Sequence, residues 1–160
     1  MAIPVTESQG TKAYLVATSV ATSTAAEIVT AISGGKQIGC LQNVGDITTS
    51  RNVQEYKCLS SDESAKSLGS ISLPNIAMDL LFDADDTTGQ AELRTMYSAN
   101  TRRKMILALN DQITAVTGNP TYITFEAGLS SDGVAVALDS AVMYKTTVEI
   151  CSKPAMIMAT

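Results

Sequence analysis

Residues 68–101 read LGSISLPNIAMDLLFDADDTTGQAELRTMYSANT: a long strand, an acidic turn and one compact helix in succession. From Ile76 the apolar residues alternate. Ile76, Met78, Leu80 and Phe82 point one way; Ala77, Asp79, Leu81 and Asp83 point the other. That period of two marks a strand with one face in a core. Ile71 and Leu73 sit on odd positions, so the phase slips at Pro74-Asn75. Proline cannot donate to a central ladder, and a bulge or the true start of the strand is expected there. Asp85-Asp86-Thr87-Thr88 ends the strand. Thr87 with Gln90 three residues on fits a capping box, and the acids suit the positive end of the helix dipole. Leu93, Met96 and Tyr97 form an apolar stripe at helical spacing, expected to pack the helix on the sheet. Asn100 supplies a stop.

A chain of 160 residues is expected to form one domain, long enough to bury a core without disulfides or a metal. The chain is 45% hydrophobic but only 4% aromatic and has no Trp, so Val, Ile, Leu, Met and Ala must build the core. The net charge of −5 argues against a dedicated nucleic-acid binder, which would carry a basic patch. It does suit a surface that nucleic acid slides past, because affinity for DNA is mostly phosphate neutralisation. Cys40, Cys58 and Cys151 are widely spaced and odd in number, so they read as reduced thiols within the core. There is no His, which removes the Ser-His-Asp triad and His-bearing zinc sites. Met1–Gly10 has no basic n-region and no apolar run, and no stretch reaches membrane-spanning length. Synthesis and assembly in the cytoplasm are expected, with no membrane partner.

Outward from the opening stretch, residues 1–10 read as an arm and Lys12–Ala17 as the first strand. Glu27–Leu41 reads as a hairpin, two β-branched runs flanking Gly34-Gly35, in preference to a short helix capped by Thr24 with Glu27. Residues 42–68 read as a long irregular loop with a short strand at Val53–Leu59; the SSDESAKS segment cannot make a core. Lys104–Leu109 is a buried strand. Tyr122–Ala127 is an alternating one, followed by a hairpin turn at SSDG, residues 130–133. Gly133–Cys151 reads as a second long strand, with a bulge at Asp139-Ser140 and a small or polar face of Ala135, Ala137, Asp139, Lys145, Thr147 and Glu149. Residues 152–160 form an apolar tail. The sum is mainly β: a β-sandwich or partly closed barrel of seven or eight strands with one flanking α-helix.

No motif carries catalytic chemistry. Counting Asp83 as the first position of a calcium loop puts Thr88 where Gly is needed and Arg94 where Glu is needed. Gly34-Gly35-Lys36 lacks the rest of a phosphate loop. Thr101-Arg102-Arg103-Lys104, the one basic run, can meet phosphate or equally the helix carbonyls and an acidic neighbour. Met156 and Met158 read as contact surface, not metal ligands. No enzyme, cofactor or metal is expected. Small polar residues, a long polar loop and two-faced strands suit a self-assembling structural subunit.

The run Phe82–Leu93, FDADDTTGQAEL, following a strand and opening a helix, resembles the major tail tube proteins of long-tailed phages with non-contractile, siphovirus-type tails. Gln37-Ile38-Gly39 followed by Asn43-Val44-Gly45-Asp46-Ile47 is similar to the paired strands of that family. The order of elements agrees from Lys12 to Ile150; Ala84 departs from the proline common in the acidic turn. The resemblance implies the tail-tube fold, six copies in a ring whose inner wall is a continuous β-barrel, and rings stacked into a tube for double-stranded DNA. It implies tape measure, tail terminator and tail-tip proteins as partners, and the virion tail as location. On that reading Asp79, Asp83, Asp139, Lys145, Thr147 and Glu149 line the lumen. Asp46, Arg51, Asp62, Glu63 and Lys66, with the terminal arm and tail, bridge rings. A type VI-like secretion tube, or another self-assembling β-sandwich subunit, is the alternative. A pilus subunit would carry a signal peptide and a disulfide.

Overall fold

The computed structural model describes residues 7–57, 64–110 and 119–158. Its strands are β1 (Glu7–Val16), β2 (Lys36–Ile38), β3 (Leu41–Val44), β4 (Ser50–Lys57), β5 (Ser64–Ser72), β6 (Asn75–Leu81), β7 (Arg103–Asn110), β8 (Tyr122–Ala135), β9 (Met143–Ile150) and β10 (Ala155–Ile157). The helices are α1 (Ala25–Ser33) and α2 (Gly89–Ala99).

The opening stretch divides at Pro74, so the slip in phase marks the start of β6. Ile76, Met78 and Leu80 are buried and the odd positions face out, as the alternation requires. β6 lies between β3 and β9 in an antiparallel sheet with the order β2-β1-β7-β8-β9-β6-β3. β8 is the long member. Tyr122–Ala127 pairs with β7 on one side, Ala127–Ala135 with β9 on the other, and β10 pairs with Tyr122–Thr124.

The sheet curls without closing, and its two wings share one core. Ile38 of β2, Ala13 and Leu15 of β1, Met105 and Leu107 of β7, and Phe125 of β8 meet Ile76, Met78 and Leu80 of β6 and Tyr144 and Val148 of β9. α2 plugs this core with Leu93 and Met96. On the reverse face of β1, β7 and β8, a second cluster of Val16, Ile106, Ala108 and Tyr122 is covered by Ile28 and Ala31 of α1. Strands buried on both faces explain the unbroken apolar run of β7. β4 and β5 form a separate two-stranded ribbon with almost every residue exposed.

Four expectations are corrected. Residues 25–33 are helical and no hairpin forms there. Thr24 Oγ1 accepts from Glu27 N while the Glu27 carboxylate accepts from Thr24 N, the reciprocal cap that the β-branched residues had argued against. Two helices therefore flank the sheet. Residues 42–68 carry paired strands across most of their described length, because β4 and β5 bond to each other. SSDG is no turn: β8 runs through it with a register shift between Leu129 and Ser131. The hairpin turns instead at Leu138–Ser140, where Asp139 takes φ 58°. The terminal segments are also shorter than expected, since β1 begins at Glu7 and β10 pairs with β8.

Candidate functional site

The acidic turn is consumed by the fold. Asp86 Oδ1 accepts from Thr88 N at 2.7 Å, Thr88 Oγ1 at 2.8 Å and Gly89 N at 3.0 Å, and Oδ2 accepts from Gln90 N at 3.0 Å. Burial raises the Asp86 carboxyl. The hydrogen bonds from Gln90, Thr88 and Gly89 together outweigh it and hold the group below its ordinary value. Asp86 is thus the capping side chain; Thr88 takes the capping position but its hydroxyl caps no helix N–H, and Thr87 forms no box. Gln90, buried, accepts from Asp83 N and donates to Leu81 O at 2.7 Å, tying the helix to the end of β6. Asp83 Oδ1 accepts from Asp85 N within the turn.

Gly89 sets the approach of the helix to β2. A Cβ there would lie 2.2 Å from the Gln37 carbonyl oxygen and 2.6 Å from Ile38 Cα. One turn on, buried Glu92 pairs with Lys36 Nζ through Oε2 and with Arg103 Nη2 through Oε1 at 2.7 Å. The Lys36 hydrogen bond is the chief cause of a lowered Glu92 carboxyl; burial opposes it, and Arg103 adds to it. Lys104 Nζ donates to Val20 O, so two cations of the basic run have partners within the chain. Leu93 and Met96 pack as expected, but Tyr97 is 45% exposed and holds nothing in the core. Arg94 lies over the rings of Phe82 and Tyr144, 5.1 and 5.4 Å from their centroids, a contact that the apolar stripe did not reveal.

The surface that remains is one face of the β3-β6-β9-β8 wing. The register sets Ala77 beside Thr147, Asp79 beside Lys145, Asn75 beside Glu149, and Ser131 beside Thr147. Ser131 Oγ donates to Thr147 Oγ1 at 2.8 Å and accepts from Thr147 N at 3.0 Å. Lys145 Nζ stands 3.7 Å from Asp79 Oδ1. Asp79, Lys145, Thr147 and Glu149 therefore share one polar face. Asp83 lies past the end of β6 in the turn, and Asp139 lies at the hairpin tip, so neither belongs to that strand face.

Both sides of this four-stranded wing end in free edges among the described residues. β3 bonds only to β6, and β8 has no partner opposite β9 beyond Ala127. Sequence reasoning missed these edges, because a free edge is a property of the pairing, not of composition. Of the residues expected to bridge rings, Arg51 and Lys66 are exposed on the β4–β5 ribbon and Asp46 follows β3. Asp62 and Glu63 lie outside the described residues, as does Cys58. Cys40 and Cys151 are free; Cys40 is exposed, so it is no core thiol. Among the described residues no group of acids and cysteines could hold a metal ion, and no helix is long and apolar enough to cross a membrane.

No sequence family and no curated protein matches the chain. Solved structures do. The SPP1 tail tube matches with a TM-score of 0.65 at 12% identity, over 96% of this chain and 80% of that one. The sheath/tube terminator of an extracellular contractile injection system, PVC, matches with a TM-score of 0.68 at 13% identity, over 98% of this chain and 96% of that one. The tail of an empty gene transfer agent particle, refined helically with six-fold symmetry, matches with a TM-score of 0.56 at 13% identity, over 76% and 84%. The chain has the tail-tube fold, shared by these phage-tail and injection-system proteins.

Proposed function

We propose that the protein is a structural subunit of a phage tail tube, not an enzyme, and that six copies close a ring by continuing the polar wing from copy to copy. The observation that carries this is the wing itself: four strands, one polar face and a free edge on each side. Along the order β8-β9-β6-β3 each strand is antiparallel to the next. A second copy's β3 laid beside Leu129–Ala135 of β8 would again be antiparallel, so the ladder propagates without a break. Closure removes edges that would otherwise invite random pairing. The face with Asp79, Lys145, Thr147 and Glu149 would line the lumen, its charges mixed rather than basic, so a DNA duplex in transit finds little to neutralise its phosphates. The β4–β5 ribbon, with Val53, Tyr56 and Leu68 exposed, has no core of its own and would bridge rings. Tape measure, terminator and tip proteins would be the other partners. The virion tail, after assembly in the host cytoplasm, would be its location.

A second reading, the tube of a contractile or type VI-like injection system, is supported by matches of equal quality to injection-system proteins. Negative-stain microscopy of the purified protein tests the common part. Stacked rings with a central hole are expected; a persistent monomer under all assembly conditions overturns both readings. Genome ejection through the assembled tube, against delivery of protein with a contracting sheath, separates them.

A further inference from the structure

The β4–β5 ribbon is exposed almost throughout, yet its side chains are sorted. The register sets Val53 beside Leu68, Glu55 beside Lys66, Lys57 beside Ser64 and Arg51 beside Ile71. Paired residues share a face of a ladder, and so does every second residue along a strand. Between Arg51 and Val53 the register shifts: β4 advances two residues while β5 passes from Ile71 to Leu68, so the bulge keeps Ile71 on the face of Leu68. Val53, Leu68 and Ile71 therefore stand on one face, together with every charge of the described ribbon: Arg51, Glu55, Lys57 and Lys66. The other face carries Asn52, Gln54, Tyr56, Ala65 and Ser67 and no charge. Val53 and Leu68 are 51% and 66% exposed, so the sorted face has nothing on it within the subunit.

The ribbon leaves one end of β6, and its complement lies at the other. β5 reaches β6 through Leu73-Pro74, whereas β6 runs directly into the acidic turn at Phe82. The seven residues of β6 set these ends about 20 Å apart. Phe82 N donates to Val142 O, so the acidic turn and the β8–β9 hairpin tip form one end surface. Residues 82–88 and 136–142 hold four aspartates and no Lys or Arg. Asp86 is spent on the cap and Asp83 accepts within the turn, but Asp85 gives the turn only its N–H, and Asp139 is exposed at the tip. Val136 and Leu138 are exposed beside them. This end offers apolar side chains among acids; the described ribbon face offers apolar side chains with three cations against one acid. Complementary surfaces at opposite ends of one molecule make a heterologous contact, which repeats along an axis and does not close.

We propose that the Val53–Leu68 face of each ribbon docks on the end surface of a second copy in the next ring, its cations meeting Asp85 and Asp139 and its apolar side chains meeting Val136 and Leu138. This inference rests on the ring reading above and names the surface that receives the ribbon. The test inverts the charges one side at a time. A ribbon variant carries Arg51→Glu and Lys57→Glu; an end-surface variant carries Asp85→Lys, Asp139→Asn and Ser140→Lys. All five residues are exposed, so each variant should keep a melting temperature within about 2 °C of wild type. Each alone should form rings by size-exclusion chromatography and microscopy but roughly tenfold fewer stacked tubes. Rings of the two variants mixed together should recover tubes, because each then presents the charge that the other lacks. In a background with Cys40, Cys58 and Cys151 replaced by Ser, Leu68→Cys with Leu138→Cys should give a series of disulfide-linked chains under oxidation. Tubes at wild-type yield from either variant alone, or no recovery on mixing, would overturn the joint while leaving the ring reading intact. So would cross-linking of Leu68→Cys with Val29→Cys, on α1, and none with Leu138→Cys. Wild-type protein that forms no rings would overturn the ring reading itself, and this joint with it.

Discussion

Between Asp83 and Leu93 the side chains bond inward; between Val134 and Val142 they bond to almost nothing. In the first region Asp86 accepts four hydrogen bonds, Gln90 makes two, Glu92 joins β2 to β7, and Leu93 is fully buried. In the second, the largest side chain, Leu138, is 92% exposed. Both regions include a turn between regular elements, and both carry acids. What separates them is the direction of their contacts. The first fixes the shape of one subunit, and substitutions there should act on stability. In the second, the backbone ends join β9 and Phe82 N, but the exposed side chains at the tip support no core, and substitutions at the tip should act on assembly.

The comparison breaks most sharply at Gly89. Any Cβ meets backbone atoms of β2, which cannot step aside as a flexible side chain would. Gly89→Ala should force α2 off the sheet and cost about 3 kcal/mol or more, at the upper end of overpacking effects. Thermal unfolding by circular dichroism should show a fall in Tm of roughly 10 °C. A Tm within two degrees of wild type would mean that the helix does not approach β2 this closely.

Gln90→Ala comes next. It leaves Leu81 O and Asp83 N without these partners in a partly buried place, for a loss of about 1–2 kcal/mol. Urea titration should show a lower midpoint with an unchanged slope.

Glu92 gives a pH signature. Its carboxyl is lowered in the folded state, by Lys36 first and Arg103 as well. The stabilisation is therefore fully present above the ordinary carboxylate range and is lost as pH falls through the lowered folded value. Tm should drop on acidification below about pH 4.5, and Glu92→Gln should flatten part of that drop while costing about 1–2 kcal/mol at pH 7. Both cations are near half exposed, so water takes over some of their partnership and keeps the cost moderate. Identical acid profiles for the two proteins would remove Glu92 from the account.

How much of this was legible follows the same division. β6 and the outward set Asp79, Lys145, Thr147 and Glu149 could be read because one side of each strand is buried, and burial writes parity into the sequence. β4 and β5 could not, because a ribbon exposed on both faces has no core to alternate against. α1 was misread for a different reason. Ile28, Val29, Thr30 and Ile32 favour a strand by propensity, but Ile28 and Ala31 fit the reverse face of β1 and β7, and that packing together with the Thr24–Glu27 cap decides. The turn at SSDG misled because β8 absorbs its odd residue in a bulge and carries on. The acidic motif was visible as a cap, but the capping residue was misplaced. Asp86 and Thr87 are neighbours, and only the bond geometry distinguishes them.

On the outward-facing side of the comparison, Val53→Asp with Leu68→Asp should change Tm by less than about two degrees. The two residues face each other across the ribbon and touch no core. Tube yield in a pelleting assay should nevertheless fall at least tenfold. Loss of stability without loss of tubes would reverse the assignment of the ribbon.

The smallest effect on the subunit is expected on the polar face, where it is also the most informative. Glu149→Lys places a cation among Thr147, Lys145 and Asp79 on a surface that supports no core. Stability should stay within about 0.5 kcal/mol, and rings and tubes should form. What should change is the behaviour of DNA. Each added cation that neutralises a phosphate releases a counterion, so the affinity acquired should be strongest at low salt and fade as salt rises. If six copies form each ring and many rings stack, as proposed, even a weak attraction per site would multiply along the tube. The expected outcome is DNA retained by variant tubes at low ionic strength, released by salt, and not retained by wild-type tubes. If the variant retains no more DNA than wild type at any salt, the face does not meet the duplex, and the lumen must be sought on another surface of the same curled sheet.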